Sequence, residues 1–477
     1  MAGKDINRRK FISTSTAGAL ATSVISSTGQ LHAAGGKMRP NILLIIADDM
    51  GDGDLGCYGH PTLRTPNIDR LAAGGLRFTN SFVTASSCSP CRASLFTGLY
   101  PHATGAEDLH IPVPAGQQVL PSLLAARGYH TMNAGKLHLG PDAAKQFHQV
   151  DDRRIDVDSR IWKSMLEGRP KDKPFFLGIG FRDPHRPYEE GVVENPTDPA
   201  DAIIPPYLAD TPETRKELSL YYDYIRRMDK NVGEVLSYLD DNGLAGQTLV
   251  IFISDNGMPF PRAKATCYDS GVRVPLIIRL PGQVPANTVS SSLISSVDLA
   301  PTMLALSGIN PPGWMQGLDM REVLFNPQAR LRQYIHAECN WHDIDDHVRA
   351  VRDERFKYIR NYFPHEPYPL GLFIVTSPTY KSMKALRDAN RLNPEQMRLF
   401  MVPRPAEELY DTHTDSYEFS NLVGNMTYEH VLERMRTEAD RWIKSTNDVP
   451  PEKRHKNLID RFTGEIIGNL YQPPERR

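Results

Sequence analysis

The stretch Asn41-Ile42-Leu43-Leu44-Ile45-Ile46-Ala47-Asp48-Asp49 decides the architecture. An unbroken apolar run stopped by two acids reads as a parallel strand buried on both faces, with carboxylates at its C-terminal end. Ligands of open α/β sheets bind outside that edge. Apolar runs at 175–181, 249–253 and 274–280 supply companion strands. Between them, Thr65-Pro66-Asn67 opens a helix carrying Ile68, Leu71 and Ala72. Thr211-Pro212-Glu213-Thr214 opens a longer one, apolar at Leu218, Tyr221, Ile225, Met228, Val232, Val235 and Leu239 and ended by Gly243. This alternation predicts an α/β fold over residues 40–325, a large mostly parallel sheet flanked by helices.

The texture then changes. Short runs at 349–352 and 356–359 predict antiparallel strands, and an amphipathic pattern over 428–443 predicts a helix. Residues 326–447 are therefore expected to form a smaller C-terminal α+β subdomain, with 361–405 mostly loop and 448–477 a tail wrapping the surface. At the other end, Asn7-Arg8-Arg9-Lys10-Phe11-Ile12 precedes a short, mildly apolar run and the small residues Ala33-Ala34. This resembles a twin-arginine signal peptide over 1–34, and implies a Tat translocon as partner and a periplasmic or secreted protein. The run is too short and polar for stable membrane insertion. A net charge of −2 gives no basic field for nucleic acid, and five cysteines in 477 residues are no disulfide scaffold.

Chemistry concentrates at Cys88-Ser89-Pro90-Cys91-Arg92-Ala93-Ser94-Leu95-Phe96-Thr97-Gly98. Cys88 alone reads as a packed thiol, and Cys88 with Cys91 as a redox or metal pair, but no thioredoxin-like βαβ context surrounds them. Lys136-Leu137-His138 places an ammonium and an imidazole on one side of an extended segment. Asp183-Pro184-His185 and Ser254-Asp255-Asn256-Gly257 each follow an apolar strand. Singly, these are ordinary turns and solvated pairs. Together they bring carboxylates, an amide, imidazoles and ammonium groups to one sheet edge.

The string Cys-x-Pro-x-Arg…Thr-Gly, with these companions in this order, resembles the type I sulfatases of the alkaline phosphatase superfamily. The resemblance runs from Pro40 to Leu422 and is greatest to the sulfamidase (heparan N-sulfatase)-like branch, through Ser86–Pro90, Phe181–Arg186 and Ser254–Pro261. It implies that a maturation enzyme, formylglycine-generating or anaerobic, converts Cys88 to formylglycine. It implies one Ca²⁺ held by Asp48, Asp49, Asp255, Asn256 and the modified Cys88. Arg92 would steady the modified residue, whose hydrated aldehyde attacks sulfur. Asp255 would accept that hydroxyl's proton, and Lys136 and Lys264 would bind sulfate. His185 would protonate the leaving atom, and His138 would release sulfate from the enzyme.

Two departures bear on substrate. Lys264 stands where the sulfamidase pattern has arginine. His336-Ala337-Glu338-Cys339-Asn340-Trp341-His342-Asp343 replaces His-His-Glu followed by apolar residues and Tyr-Pro. This loop is expected to help form the sugar pocket, with Trp341 stacking on a sugar face and His342, His347 and Arg349 meeting hydroxyls or a uronate. The expected activity is hydrolysis of O-sulfate from a sulfated polysaccharide or oligosaccharide, a glycosaminoglycan or algal glycan. The alternatives are N-sulfate hydrolysis as by a sulfamidase, phosphoester hydrolysis, and a catalytically silent glycan-binding relative.

Overall fold

The computed structural model describes residues 39–451 and 454–468, so the signal-peptide reading of 1–34 and part of the 448–477 tail lie outside the described residues. An eight-stranded sheet runs in the order Gln149–Asp151, His130–Gly135, Phe175–Gly180, Asn41–Ala47, Thr248–Ser254, Leu276–Arg279, Leu76–Phe78, Thr288–Ser290. The first five strands are mutually parallel. Leu276–Arg279, expected as one more companion strand, runs antiparallel to both its neighbours.

All seven residues of the opening strand are buried. Strand alternation sends Leu43, Ile45 and Ala47 to one face and Ile42, Leu44 and Ile46 to the other, and each set joins a separate hydrophobic core. The long helix Pro212–Asp241 covers the first face through Leu218, Tyr221, Ile225, Met228, Val232 and Val235. Its start is local chemistry: Thr211 Oγ1 accepts from Thr214 N at 3.2 Å, and proline follows the cap. On the other face the helix Cys88–Thr97 is buried along its whole length, and Gly98 at φ +70° ends it.

Register positions the chemistry. Ile46 pairs with Gly180, Ala47 with Ser254, and Gly135 with Gly180. The residues that leave these strands, Asp48–Asp49, Asp255–Asn256 and Lys136, therefore emerge side by side.

A second sheet, antiparallel throughout, orders Ile335–Cys339, Val348–Arg352, Phe356–Asn361 and Glu407–Asp411. Helix Glu429–Thr446 packs on it through Val431, Leu432, Met435 and Ala439. The 361–405 segment is less irregular than expected, because it contains helix Pro378–Asp388. Ser377 caps that helix, and Thr379 N donates to Glu217 Oε2 of the long helix at 2.8 Å. Its buried positions, Thr379, Tyr380 and Met383, form too short an apolar stripe to stand out among lysines and arginines. The tail also departs from a surface wrap: Leu458 and Ile459 are buried in the main core.

Candidate active site

Asp48, Asp49, Asp255 and Asn256 are at most 1 % exposed at the sheet's C-terminal edge. Asp49 takes φ +73° and His138 φ +59°, a left-handed backbone that is costly for residues with a Cβ and typical of functional sites. Gly180 is required beneath them, since a Cβ there would lie 2.0 Å from the Lys136 carbonyl oxygen.

Cys88 begins its helix with Sγ 3.4 Å from Asp48 Oδ1, 3.7 Å from Asp49 Oδ1 and 3.2 Å from Lys264 Nζ. Lys264 Nζ donates to both Asp49 oxygens, at 2.6 and 2.8 Å, and Lys136 Nζ donates to Asp48 Oδ2 at 2.6 Å. One helical turn beyond Cys88, the fully buried Arg92 donates from Nε to Asp255 Oδ2 at 2.7 Å and from Nη1 to the Lys136 carbonyl at 2.6 Å. His185 Nε2 lies 3.7 Å from Asp49 Oδ2, while its Nδ1 donates to the Arg186 carbonyl.

The electrostatics follow from burial set against these partners. Burial alone would raise Asp48, but Lys136, His185, Arg92 and Lys264 together hold it well below the usual carboxylate range. For Asp255, burial and the Asp48 charge outweigh Arg92 and push it up to about 6. Burial lowers both His185 and His138, the latter strongly, with Lys136 adding to the effect. Lys264 would lose basicity to burial, but Asp49 reverses this and raises it. Burial drives the Cys88 thiol well above its ordinary value, so unmodified Cys88 is a poor nucleophile.

The donor set suits a hard divalent cation. Asp48, Asp49 and Asp255 offer carboxylates, and Asn256 Oδ1 is buried with no hydrogen-bond partner among the described residues, while Nδ2 donates to Asp49 Oδ1 and the Gly257 carbonyl. Ligand atoms of Asp48, Asp49, Cys88 and His185 all lie within 4.8 Å of one another.

A cavity of 770 Å³ opens above Cys88, Lys136, His138, His185 and Lys264. Of the four expected sugar-pocket residues it takes only His342, whose Nδ1 meets Ser87 Oγ at 2.8 Å and which burial lowers to about 3. Trp341, His347 and Arg349 line a different cavity, and the expectation that they share a sugar pocket with Cys88 is corrected. Trp341 is 2 % exposed in the main core, its Nε1 donating to the Lys456 carbonyl at 3.0 Å. His347 and Arg349 are likewise buried, and Arg349 is clamped on Asp448 and 3.5 Å from Glu338.

Sequence reasoning missed His110, Arg182 and Phe373 among the cavity residues. His110, at φ +68°, meets His138 Nε2 through Nδ1 at 2.8 Å; Arg182 and the exposed Phe373 line the same cavity. All three lie outside regular elements or in one short turn, where no periodic pattern marks them. The five cysteines are all free, so no Cys88–Cys91 bond blocks modification.

Comparison with known proteins agrees with this geometry. The sulfatase family profile matches residues 40–309, and that of the N-sulphoglucosamine sulphohydrolase C-terminal region matches 262–373. An ulvan-active sulfatase of Formosa agariphila is 33 % identical over 456 residues, covering 86 % of this chain and 76 % of its own. The N-sulphoglucosamine sulphohydrolase of Homo sapiens is 31 % identical over 463 residues, covering 86 % and 91 %. A structure solved in complex with its substrate D-glucosamine-2-N,6-O-disulfate superposes with a TM-score of 0.67 at 21 % identity, covering 87 % of this chain and 99 % of the other.

Proposed function

Since the chain belongs to the sulfatase family, we propose that this hydrolase removes O-sulfate from a sulfated carbohydrate, using formylglycine made from Cys88 and a bound Ca²⁺. The observation that carries the reading is the setting of Cys88 Sγ, with Lys264 Nζ at 3.2 Å, two carboxylates within 3.7 Å and the Arg92–Asp255 pair behind it. Formylglycine supplies a hydrated aldehyde with two hydroxyls. Asp48, Asp49, Asp255 and Asn256 would hold Ca²⁺, which favours the ionised form of such a hydroxyl and offsets sulfate charge.

The chain's own residues do the rest. Lys136 and Lys264 keep their protons in a buried site, and so present ammonium groups to sulfate oxygens in low dielectric. With Nδ1–H committed to the Arg186 carbonyl, His185 exchanges its proton at Nε2, on the cavity side where the leaving oxygen departs. Its lowered basicity makes the protonated form a stronger acid. His138, held by His110, is a neutral base suited to the second half-reaction. The filled catalytic set argues against a silent glycan-binding relative.

Sulfamidase action on N-sulfate is the second reading, favoured by the human relative and by the profile match over 262–373. Export through a twin-arginine signal at 1–34, maturation of Cys88 by a dedicated enzyme and the domain boundaries at 325 and 447 belong to the same proposal. The test is sulfate release by mature, Ca²⁺-loaded enzyme from N-sulfated glucosamine, 6-O-sulfated glucosamine and sulfated algal oligosaccharides. Release from the O-sulfated members supports the first reading, release from N-sulfated glucosamine alone the second, and release from none overturns both.

A further inference from the structure

Phe373 stands with 46 % of its surface exposed on the short helix Leu372–Val375. Its ring meets His185 edge-on at 5.1 Å between centroids, and it lines the cavity above Cys88. The same ring also lines a second cavity of 510 Å³, formed by Arg186, Pro187, Tyr188, Lys216, Leu220 and Thr376, among others. The two cavities are thus separated by one aromatic side chain and by the step from His185 to Arg186 along the backbone.

We propose that the second cavity binds the next sugar of the glycan, on the leaving-oxygen side of the sulfated unit, with Phe373 as the platform between the two. The proposal rests on the sulfatase reading above, because His185 is the group expected to face the leaving oxygen. The sulfated unit that carries the leaving oxygen lies beside His185, and a sugar linked to that unit on this side meets Phe373. Phe373, Pro187, Tyr188 and Leu220 offer apolar contact to the C–H face of a pyranose, as aromatic and proline rings do in sites that take amphipathic ligands. Polar contacts are at hand as well. Thr376 donates its hydroxyl to the Leu372 carbonyl at 2.8 Å and keeps its oxygen lone pairs for a sugar hydroxyl. Lys216 is half exposed and pairs with Glu190, itself 74 % exposed; such a surface pair exchanges readily for a ligand. The aromatic platform expected at Trp341 is therefore supplied by Phe373, from a segment whose sequence carries no signal for it.

The test compares kcat/KM on a sulfated monosaccharide with that on the oligosaccharide carrying the same sulfated unit, for the mature enzyme and two variants. Phe373→Ala removes the platform; Thr376→Trp fills the second cavity from an exposed position just past the helix Leu372–Val375, at a residue that does not line the first. Both variants are expected to lower the oligosaccharide-to-monosaccharide ratio by about tenfold, the scale of one lost aromatic packing contact. An unchanged ratio in Thr376→Trp overturns the subsite, whatever Phe373→Ala does. Absence of sulfate release from either substrate by the unaltered enzyme overturns the sulfatase reading instead, so the two failures are distinguishable.

Discussion

Arg349→Met separates a substrate contact from a structural clamp. Arg349 and Asp448 each have 2 % of their side chain exposed; the guanidinium grips both Asp448 oxygens, Nη2 to Oδ1 at 2.8 Å, and Nη1 reaches Asn340 Oδ1 at 3.0 Å. Removing it leaves the buried Asp448 carboxylate without its guanidinium, and breaking a buried pair from one side costs about 3–5 kcal/mol. Against a typical domain stability of about 5–15 kcal/mol, that is a large share. Glu338 is cushioned, because His102 still faces it at 3.1 Å. The assay is urea unfolding of purified variants, read as a shift of midpoint, alongside sulfate release below the transition. Arg349→Met should move the midpoint strongly downward while the folded fraction keeps its turnover. Pairing it with Asp448→Leu should recover most of the loss, since no charge is then left alone. A variant of wild-type stability that has lost activity would refute the reasoning and return Arg349 to the substrate site.

Other expectations can be checked with equal economy. Cys88→Ala abolishes turnover with an unchanged unfolding midpoint; wild-type-like rates in that variant would sink the Cys88 mechanism. Chelation of divalent cations slows sulfate release and added Ca²⁺ restores it, whereas full activity in metal-free enzyme removes the metal's role. Burial would raise Glu338, but His102 and Arg349 prevail and hold it at about 2, against an ordinary 4.5. The unfolded chain therefore binds more protons than the folded one in this window, and stability falls as pH drops from about 4.5 to about 2. Glu338→Gln flattens that part of the acid-unfolding curve; an unchanged curve would show that the pair contributes nothing. Gly180→Ala forces a methyl against the Lys136 carbonyl, which should cost about 1–3 kcal/mol by overpacking and reduce activity by moving Lys136. A neutral result would mean that this strand edge yields freely.

The strongest local patterns were legible. The run 41–47 and its acids specify a doubly buried strand and a polar edge, because side-chain alternation and burial act over a few residues. The cap at Thr211 and the stripe that follows it specify the long helix for the same reason. The grouping of Cys88, Lys136 and Asp255 was legible because each follows a strand or belongs to a strong motif, whereas Lys264 was implied only by the family resemblance. The environment of the 336–349 loop was not. Trp341 suits a sugar or a core equally well by composition, and only its packing with Leu458 and Ile459 in one core decides between them. Arg349 looks like a binding residue until Asp448, 99 positions away, closes on it. His110 meets His138, 28 positions away in the chain, and Phe373 gains its place from a neighbouring cavity wall. By itself the sequence determined four of the eight strands of the main sheet, the long helix and the polar residues that stand at the strand ends, because these depend on short-range periodicity and on residues that directly follow apolar runs. Only the tertiary structure decided which polar side chains are spent on each other and which remain for a ligand, since burial and ion pairing are set by partners far apart in the chain.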